Sequence, residues 1–130
     1  MKLNPDCVRD LLLTLEELLQ FDDNMEYPTI FSEAVEGSPQ MKGYSKQDIA
    51  YTTLKLIEAG YINAAPIPGD NCYNGALYSS ITYPGHEFLD TVRPPDVWTE
   101  TKSKAKKIGS FALNILAQIA SSVIASRING

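Results

Sequence analysis

The chain has 130 residues, of which 44% are hydrophobic and 21% are charged. This size and balance are typical of one compact domain, or of a small domain with an appended helix. The 11 basic residues against 16 acidic ones leave a net charge of −5, which excludes strong non-specific attraction of the whole molecule to nucleic-acid phosphates.

The charge is unevenly distributed along the chain. Residues 1–36 contain nine acids and two basic residues, whereas residues 102–107 contain four lysines and no acid. Because opposite charges attract, the acidic front and the lysines could meet, either within one chain or between two chains.

The first predicted helix begins at Asn4 and Pro5 and runs to about Phe21. An asparagine can accept hydrogen bonds from the free amides of a first turn, and proline fits that turn because its missing N–H costs nothing there. The apolar face that follows has helical spacing and consists of Val8, Leu11, Leu12, Leu15, Leu18 and Leu19.

Residues 22–44 give mixed signals, and we predict there only a short strand around residues 29–35 followed by a loop. A second helix is predicted from Ser45 to about Ala59. Serine can cap the first turn of this helix, and Gly60 is a natural left-handed terminator after its last turn.

Residues 64–75 are expected to be irregular because they contain two prolines and two glycines. Residues 76–83 alternate apolar and polar side chains and predict a half-buried strand. A third helix is predicted over residues 82–93, ended by the two prolines that follow. A fourth helix is expected to begin with Asp96 or Thr99 as its cap.

The order of the predicted elements indicates a winged-helix-like arrangement: a helix, a loop, an alternating strand and a further helix that Thr-x-x-Gly opens. The predicted fold class is mainly α with a small β hairpin or sheet, that is, α+β. We predict a winged-helix-like domain over residues 1–95 and a C-terminal helical oligomerisation segment over residues 96–130.

Residues 108–126 form an uncharged run of 19 residues. The run contains too many serine, asparagine and glutamine residues for a membrane span, so stable membrane insertion is not expected. Projected as one helix, it has a narrow polar stripe and a wide apolar surface that must be nearly surrounded. The apolar side chains are Ile108, Ala112, Ile115, Leu116, Ile119, Ala120 and Val123.

Three kinds of partner could cover this surface. Pairing with the same helix of a second chain is the favoured interpretation and predicts a dimer or higher homo-oligomer. Packing within the chain and attachment to a membrane surface behind the lysines are the alternatives.

The helix before a wing usually enters the major groove of DNA, which makes DNA binding a candidate function. Base edges could be read by Ser45, Lys46, Gln47, Tyr51 and Lys55, and phosphates could be met by Lys102, Lys104, Lys106 and Lys107. The second helix has no net charge, however, and the expected wing tip at residues 69–75 has no Lys or Arg. A solvated helix face is therefore favoured over a DNA-binding one.

No enzymatic motif is present. His86 is the one histidine, and its neighbours Glu87 and Asp90 could support general base chemistry, but no nucleophile motif or second histidine accompanies it. Cys7 and Cys72 with one histidine make no zinc pattern. We expect no catalysis, no metal and no cofactor.

The start of the chain leads directly into an amphipathic helix, not into an apolar run with a cleavage site, so a signal peptide is not expected. A reduced, cytoplasmic protein with two free thiols is the expectation.

Four segments carry a family resemblance: "MKLNPDCVRDLLLTLEE", "IAYTTLKLIEAGYI", "ITYPGHEFLDTVRPPDVWTETKSKAKKIGSF" and "LAQIASSVI". Together they resemble the phage and prophage family known as domain of unknown function 2513. The resemblance implies a winged-helix-like protein that acts in the cytoplasm of a bacterial host, and it implies no activity. We therefore expect a non-enzymatic, oligomeric protein-binding module that modulates the host, with a sequence-specific DNA-binding regulator as the alternative.

Overall fold

The structure is a computed structural model that describes residues 1–129. Its helices and strands confirm the predicted α+β class, because most of the described chain is helical and the strands form one small antiparallel sheet. In chain order the elements are α1 (Pro5–Leu18), β1 (Ile30–Phe31), α2 (Ser32–Glu36), a 3₁₀ turn (Pro39–Met41), α3 (Lys46–Glu58), β2 (Ile62–Pro66), β3 (Ala76–Ile81), α4 (Tyr83–Val92), α5 (Pro95–Ile108) and α6 (Leu113–Asn129).

Three helix starts predicted from capping residues are confirmed. The side-chain oxygens of Asn4, Ser45 and Thr82 accept hydrogen bonds of 3.0–3.1 Å from amides in the first turns of α1, α3 and α4. Each bond satisfies a donor that the helix itself leaves free. Gly60, after α3, has the expected positive φ of 75°.

Three local predictions were wrong. The strand expected over residues 29–35 is only two residues long, and the chain then turns into the short helix α2. The segment 64–75 was expected to be irregular, but its first three residues belong to β2, since pairing with β3 overrides the weak local signal. Helix α5 has neither Asp96 nor Thr99 as its cap: it begins at Pro95, which needs no amide partner in a first turn.

The sheet has the order β1-β3-β2, with β3 in the centre and both neighbours antiparallel to it. Asn63 of β2 lies opposite Ser80, and the next residue, Ala64, lies opposite Tyr78. Ser79 is therefore an extra residue in β3, a β-bulge. A bulge bends its strand and interrupts regular pairing.

One hydrophobic core holds the described chain together. It is built around α1 and includes Leu11, Leu12, Leu56, Tyr78 and Leu89, all fully buried. The same cluster contains Trp98, Ala105, Leu116 and Ala120. Within residues 1–129 the core therefore continues across the domain boundary that we predicted at residue 95.

The uncharged run is not one helix, as the projection of residues 108–126 assumed. Gly109, with a φ of 89°, ends α5 in a left-handed conformation, and α6 begins only at Leu113. Helix α6 packs against α4 and α5. None of the described helices is both long enough and apolar enough to cross a bilayer.

The predicted oligomerisation residues divide into two groups. Leu116, Ala120 and Val123 are buried within the chain, where they belong to its interior and not to a surface. Ile115 and Ile119 are half-buried, Ala112 is exposed, and the side chain of Ile108 is 64% exposed. Only this second group remains available to a partner, and homo-oligomerisation stays a prediction.

The acidic front and the lysines do meet, and they meet within one chain. Asp6 of α1 accepts hydrogen bonds from the indole of Trp98 at 2.9 Å and from Lys102 at 2.7 Å, both in α5. Partial burial would raise the pKa of Asp6, but these two donors outweigh it and hold the pKa below its ordinary value. This contact ties α5 to the start of the domain.

Candidate functional site

The predicted DNA-contacting residues of the second helix lie together along α3. Ser45, Lys46 and Gln47 are exposed at its start. Lys55 forms a salt bridge of 2.8 Å with Glu58, and its ammonium lies 5.3 Å from the centroid of the Tyr51 ring. The charge of Lys55 is therefore already partnered, which reduces what this helix offers to a phosphate.

The four lysines predicted to meet phosphates behave in two ways. Lys102 is bound to Asp6, and Lys104 lies 3.5 Å from Glu100. Lys106 and Lys107 are exposed and form no salt bridge within residues 1–129. Only this pair is uncompensated, and it lies in α5, not on the α3 face.

Beside the sheet lies a groove of about 500 Å³ that no sequence pattern predicted, and we call it the β3 groove. It lies between the second half of α1, residues 19–29, the end of β3 and the start of α4. Its apolar walls come from Leu15, Leu19, Phe21, Tyr27 and Ile81, and its polar groups from Glu16, Thr29, Ser79, Ser80 and His86. This volume falls within the range of about 300–1,000 Å³ usual for binding pockets.

The β3 groove is open because β1 stops pairing with β3 early. The last paired residues are Ile30 and Tyr78, and the bulge at Ser79 follows immediately. On the β1 side, Thr29 comes next and Pro28 beyond it has no amide N–H with which to continue the ladder. Sequence on both strands therefore opposes further pairing, and the two segments separate there around the groove.

The end of β3 consequently presents backbone groups that β1 does not use. The amide of Thr82 donates to the carbonyl oxygen of Tyr61 at 3.0 Å, on the β2 side of the strand. Successive backbone groups of an extended chain point in opposite directions, so those of Ile81 point away from β2. That direction is the side on which β1 has ended.

Two aromatic side chains form the outer rim of the β3 groove. Phe21 and Tyr27 are 55% and 87% exposed, and their ring centroids are 5.7 Å apart. The loop that carries them has a fixed turn, because one carboxylate oxygen of Asp22 accepts the amides of Asn24 at 2.9 Å and Glu26 at 3.1 Å. Exposed aromatic rings on a loop of fixed conformation are typical of a binding surface.

An ion pair lies at the α1 wall of the groove. Arg93 donates two hydrogen bonds of 2.7 Å to the two carboxylate oxygens of Glu16, and it also donates to Asp90 at 2.9 Å. The hydrogen bonds from Arg93 lower the pKa of Glu16, and those to Glu16 and Asp90 raise the pKa of Arg93. Both groups are therefore charged at neutral pH.

The surface beyond Tyr27 is acidic. A shallower depression adjoins the β3 groove and shares Tyr27, Pro28 and Thr29 with it. Asp22 and Glu26 line this depression and form no salt bridge within the described residues. An extended ligand that passes Tyr27 would therefore meet uncompensated negative charge.

The chemistry of the β3 groove suits binding. His86 is exposed at one wall, and within residues 1–129 its ring makes no hydrogen bond to a carboxylate. Among the described residues, no three His, Cys, Asp or Glu side chains are grouped so that they could hold a metal ion. The groove offers apolar contact, free backbone groups and negative charge.

The fold and groove describe a small α+β protein whose central strand is partly uncovered. The chain belongs to the family described as hypothetical protein (DUF2513), which matches residues 2–112. The matched region contains α1 to α5 and every residue of the β3 groove.

A relative from Haemophilus influenzae (strain ATCC 51907 / DSM 11121 / KW20 / Rd), described as an uncharacterized protein, is 28% identical over 125 residues. That similarity covers 95% of this chain and 96% of the relative, so the two proteins correspond over nearly their whole lengths. No solved structure matches the chain.

Proposed function

We propose that this chain is a non-enzymatic, winged-helix-like module that binds a protein partner through the β3 groove. The element order α1-β1-α2-α3-β2-β3 with the sheet order β1-β3-β2 supports the winged-helix description, with residues 67–75 as the wing. The family resemblance supports a phage or prophage protein that modulates a component of the bacterial host cytoplasm.

One observation carries the proposal: exposed aromatic rings lie beside an unpaired stretch of a central strand. Phe and Tyr are enriched at the centres of protein interfaces, where they bury large areas at small entropic cost. An open strand edge is a template for another chain, and native proteins usually cover it. Here the rim of Phe21 and Tyr27 stands next to the edge at Ser79–Ile81.

DNA binding is the second candidate, and one feature favours it. Lys2 and Lys106 line a depression next to Leu3 and Ala112, which in turn border the groove beside Tyr51 of α3. Phosphate contacts could form there. The net charge of −5, the partnered Lys55 and a wing tip that carries Asp70 and no Lys or Arg work against it.

Homo-oligomerisation belongs to the proposal and rests on the apolar side chains left uncovered where α5 passes to α6. Ile108 at the end of α5 is 64% exposed, and Ala112 just before α6 is exposed as well. Replacing both with aspartate makes this surface charged without touching the core, so light scattering should report monomers for the variant and dimers or larger species for the wild type. If the wild type and the variant both have the mass of a single chain, oligomerisation is contradicted.

The protein-binding proposal is tested by capture from a bacterial lysate treated with nuclease. The immobilised wild-type chain should retain a discrete protein, and a variant with Phe21→Ser and Tyr27→Ser should lose it. The control variant carries Gln47→Ala and Lys55→Ala on α3 and should retain the protein. Loss of capture in the α3 variant alone would show that the protein partner binds α3 and not the β3 groove. Retention of the wild type on heparin at about 0.15 M salt would favour the DNA-binding alternative.

A further inference from the structure

We infer that the β3 groove binds an extended, lysine- or arginine-bearing segment of the partner, which joins the sheet as an added strand beside Ser79–Ile81. The inference rests on the proposed function and specifies its binding mode. The backbone of β3, the charge around the groove and the aromatic rim support it.

The backbone supplies the first reason. Strand addition needs a stretch of extended chain whose amide and carbonyl groups point into open space. The β1–β3 ladder ends at Tyr78, and the backbone groups of Ile81 point to the side that β1 has left. The groove occupies this space, so an incoming chain would take the place that a longer β1 would fill.

The local sequence keeps this place from being filled by the chain itself. A β1 strand extended backwards in the same register would place Thr29 opposite the bulged Ser79 and Pro28, which has no N–H, opposite Ser80. Bulges of this kind recur where a strand is re-aimed next to a functional site. The open edge is therefore specified by sequence on both sides.

Charge complementarity indicates the kind of segment. Glu26 and Asp22 are uncompensated beside the groove, whereas the nearby Arg93 is already bound to Glu16 and Asp90. His86 is the other titratable group at the groove wall. The field at the groove is thus negative, and complementary charge steers and orients a partner.

The aromatic rim fits the same ligand. A lysine or arginine side chain can lie along Tyr27 or Phe21 with its apolar stem and hold its charged end toward Glu26. In a strand, alternate side chains point to one face, so every second residue of the segment would meet the rim and the acids.

The probe is a fluorescein-labelled hexapeptide of alternating lysine and valine, and binding is followed by fluorescence anisotropy. The peptide with glutamate in place of lysine tests charge. The lysine peptide with every internal amide N-methylated tests strand addition, because it cannot donate backbone hydrogen bonds. Among protein variants, Glu26→Lys reverses a charge at the groove, and Asp70→Lys makes the same reversal in the wing at the other end of β3.

Saturable binding of the lysine peptide is expected, with affinity reduced about tenfold by N-methylation, since more than one net hydrogen bond is lost. Glu26→Lys should weaken binding about threefold and Asp70→Lys should leave it unchanged. Equal binding of the methylated peptide, or equal binding of the glutamate peptide, would overturn the inference.

The lysate experiment separates this failure from that of the proposed function. If the groove variant with Phe21→Ser and Tyr27→Ser loses a captured protein but no peptide binds, the strand-addition inference is wrong and the protein-binding function stands. If the wild type captures nothing and binds no peptide, both are wrong.

Discussion

Arg93 and Glu16 meet through two parallel hydrogen bonds of 2.7 Å, which tie the end of α4 to the last turn of α1 beside the β3 groove. Arg9 reinforces the same junction by donating to the carbonyl oxygens of Val92 and Arg93 at 2.9 and 2.5 Å. Arg9 thus satisfies carbonyl groups at the end of α4, and the two arginines together fix one wall of the groove.

The first prediction concerns this pair. Arg93 lowers the pKa of Glu16, so the pair stabilises the fold above the ordinary pKa of 4.5, and the stabilisation is lost as pH falls through the lower folded value. Glu16→Gln should reduce the free energy of unfolding at neutral pH by about 1 kcal/mol, a modest figure because both side chains are partly exposed. Urea denaturation at about pH 7 and about pH 3 measures this.

The control for this prediction is Glu87→Gln. Glu87 lies in α4 and is exposed, and its side chain forms no salt bridge within residues 1–129. Its replacement should change stability little at either pH. A loss for Glu16→Gln that is equal at both pH values would show that the ion pair is not its cause.

The second prediction concerns the close approach of α4 to β2. A Cβ atom added to Gly85 would overlap the carbonyl oxygen of Tyr61 and press on Ile81. Backbone cannot move aside cheaply, so Gly85→Ala should destabilise the protein by about 3 kcal/mol. The control is Gly43→Ala, which should be nearly neutral because nothing lies within 4 Å of an added Cβ there. Thermal unfolding measures both variants, and a comparable loss of stability at the two sites would refute the explanation.

The third prediction tests whether α6 belongs to the core. Leu116 is fully buried and Ile128 is 78% exposed, although both lie on α6. Leu116→Ala should cost about 2–5 kcal/mol of unfolding free energy because it leaves a cavity. Ile128→Ala should cost less than about 0.5 kcal/mol. If Leu116→Ala is as mild as Ile128→Ala, α6 does not pack on α4 and α5 in solution.

The fourth prediction uses the two thiols. Cys7 is buried, and burial raises the pKa of its thiol to about 11, whereas Cys72 is exposed in the wing. Because the thiolate is the reactive form, a disulfide reagent at about pH 8 should modify Cys72 quickly and Cys7 only after unfolding. Cys72→Ser should remove the fast reaction. Two thiols that react at one rate in the folded protein would contradict the structure around Cys7.

Helices α1, α3 and α4 were predictable because each is specified locally. Asn4, Ser45 and Thr82 cap the helices that the sequence assigned to them, and the apolar spacing of α1 gives its buried face directly. Family membership was also recognisable, since the resemblance extends over most of the chain. These signals lie within a few residues of the structures that they determine.

The features that escaped prediction depend on distant residues. Strand β2 contains Pro66 and no clear alternation, so pairing with β3 defines it. Gly109 was read as part of one long uncharged helix, although its left-handed conformation ends α5. The β3 groove is lined by residues from 15–29 and from 79–86, which are distant in sequence. No local pattern predicts that the two strands separate near Pro28 and Ser79.

The central claim is that the protein partner binds at the β3 groove and not at the exposed face of α3. It is tested most directly by placing a photo-cross-linking phenylalanine analogue at Tyr27 in one protein and at Gln47 in another, both exposed positions, and irradiating each in nuclease-treated bacterial lysate. The account predicts a discrete protein adduct from position 27 and none from position 47. An adduct from position 47 alone, or none from either position, would contradict it.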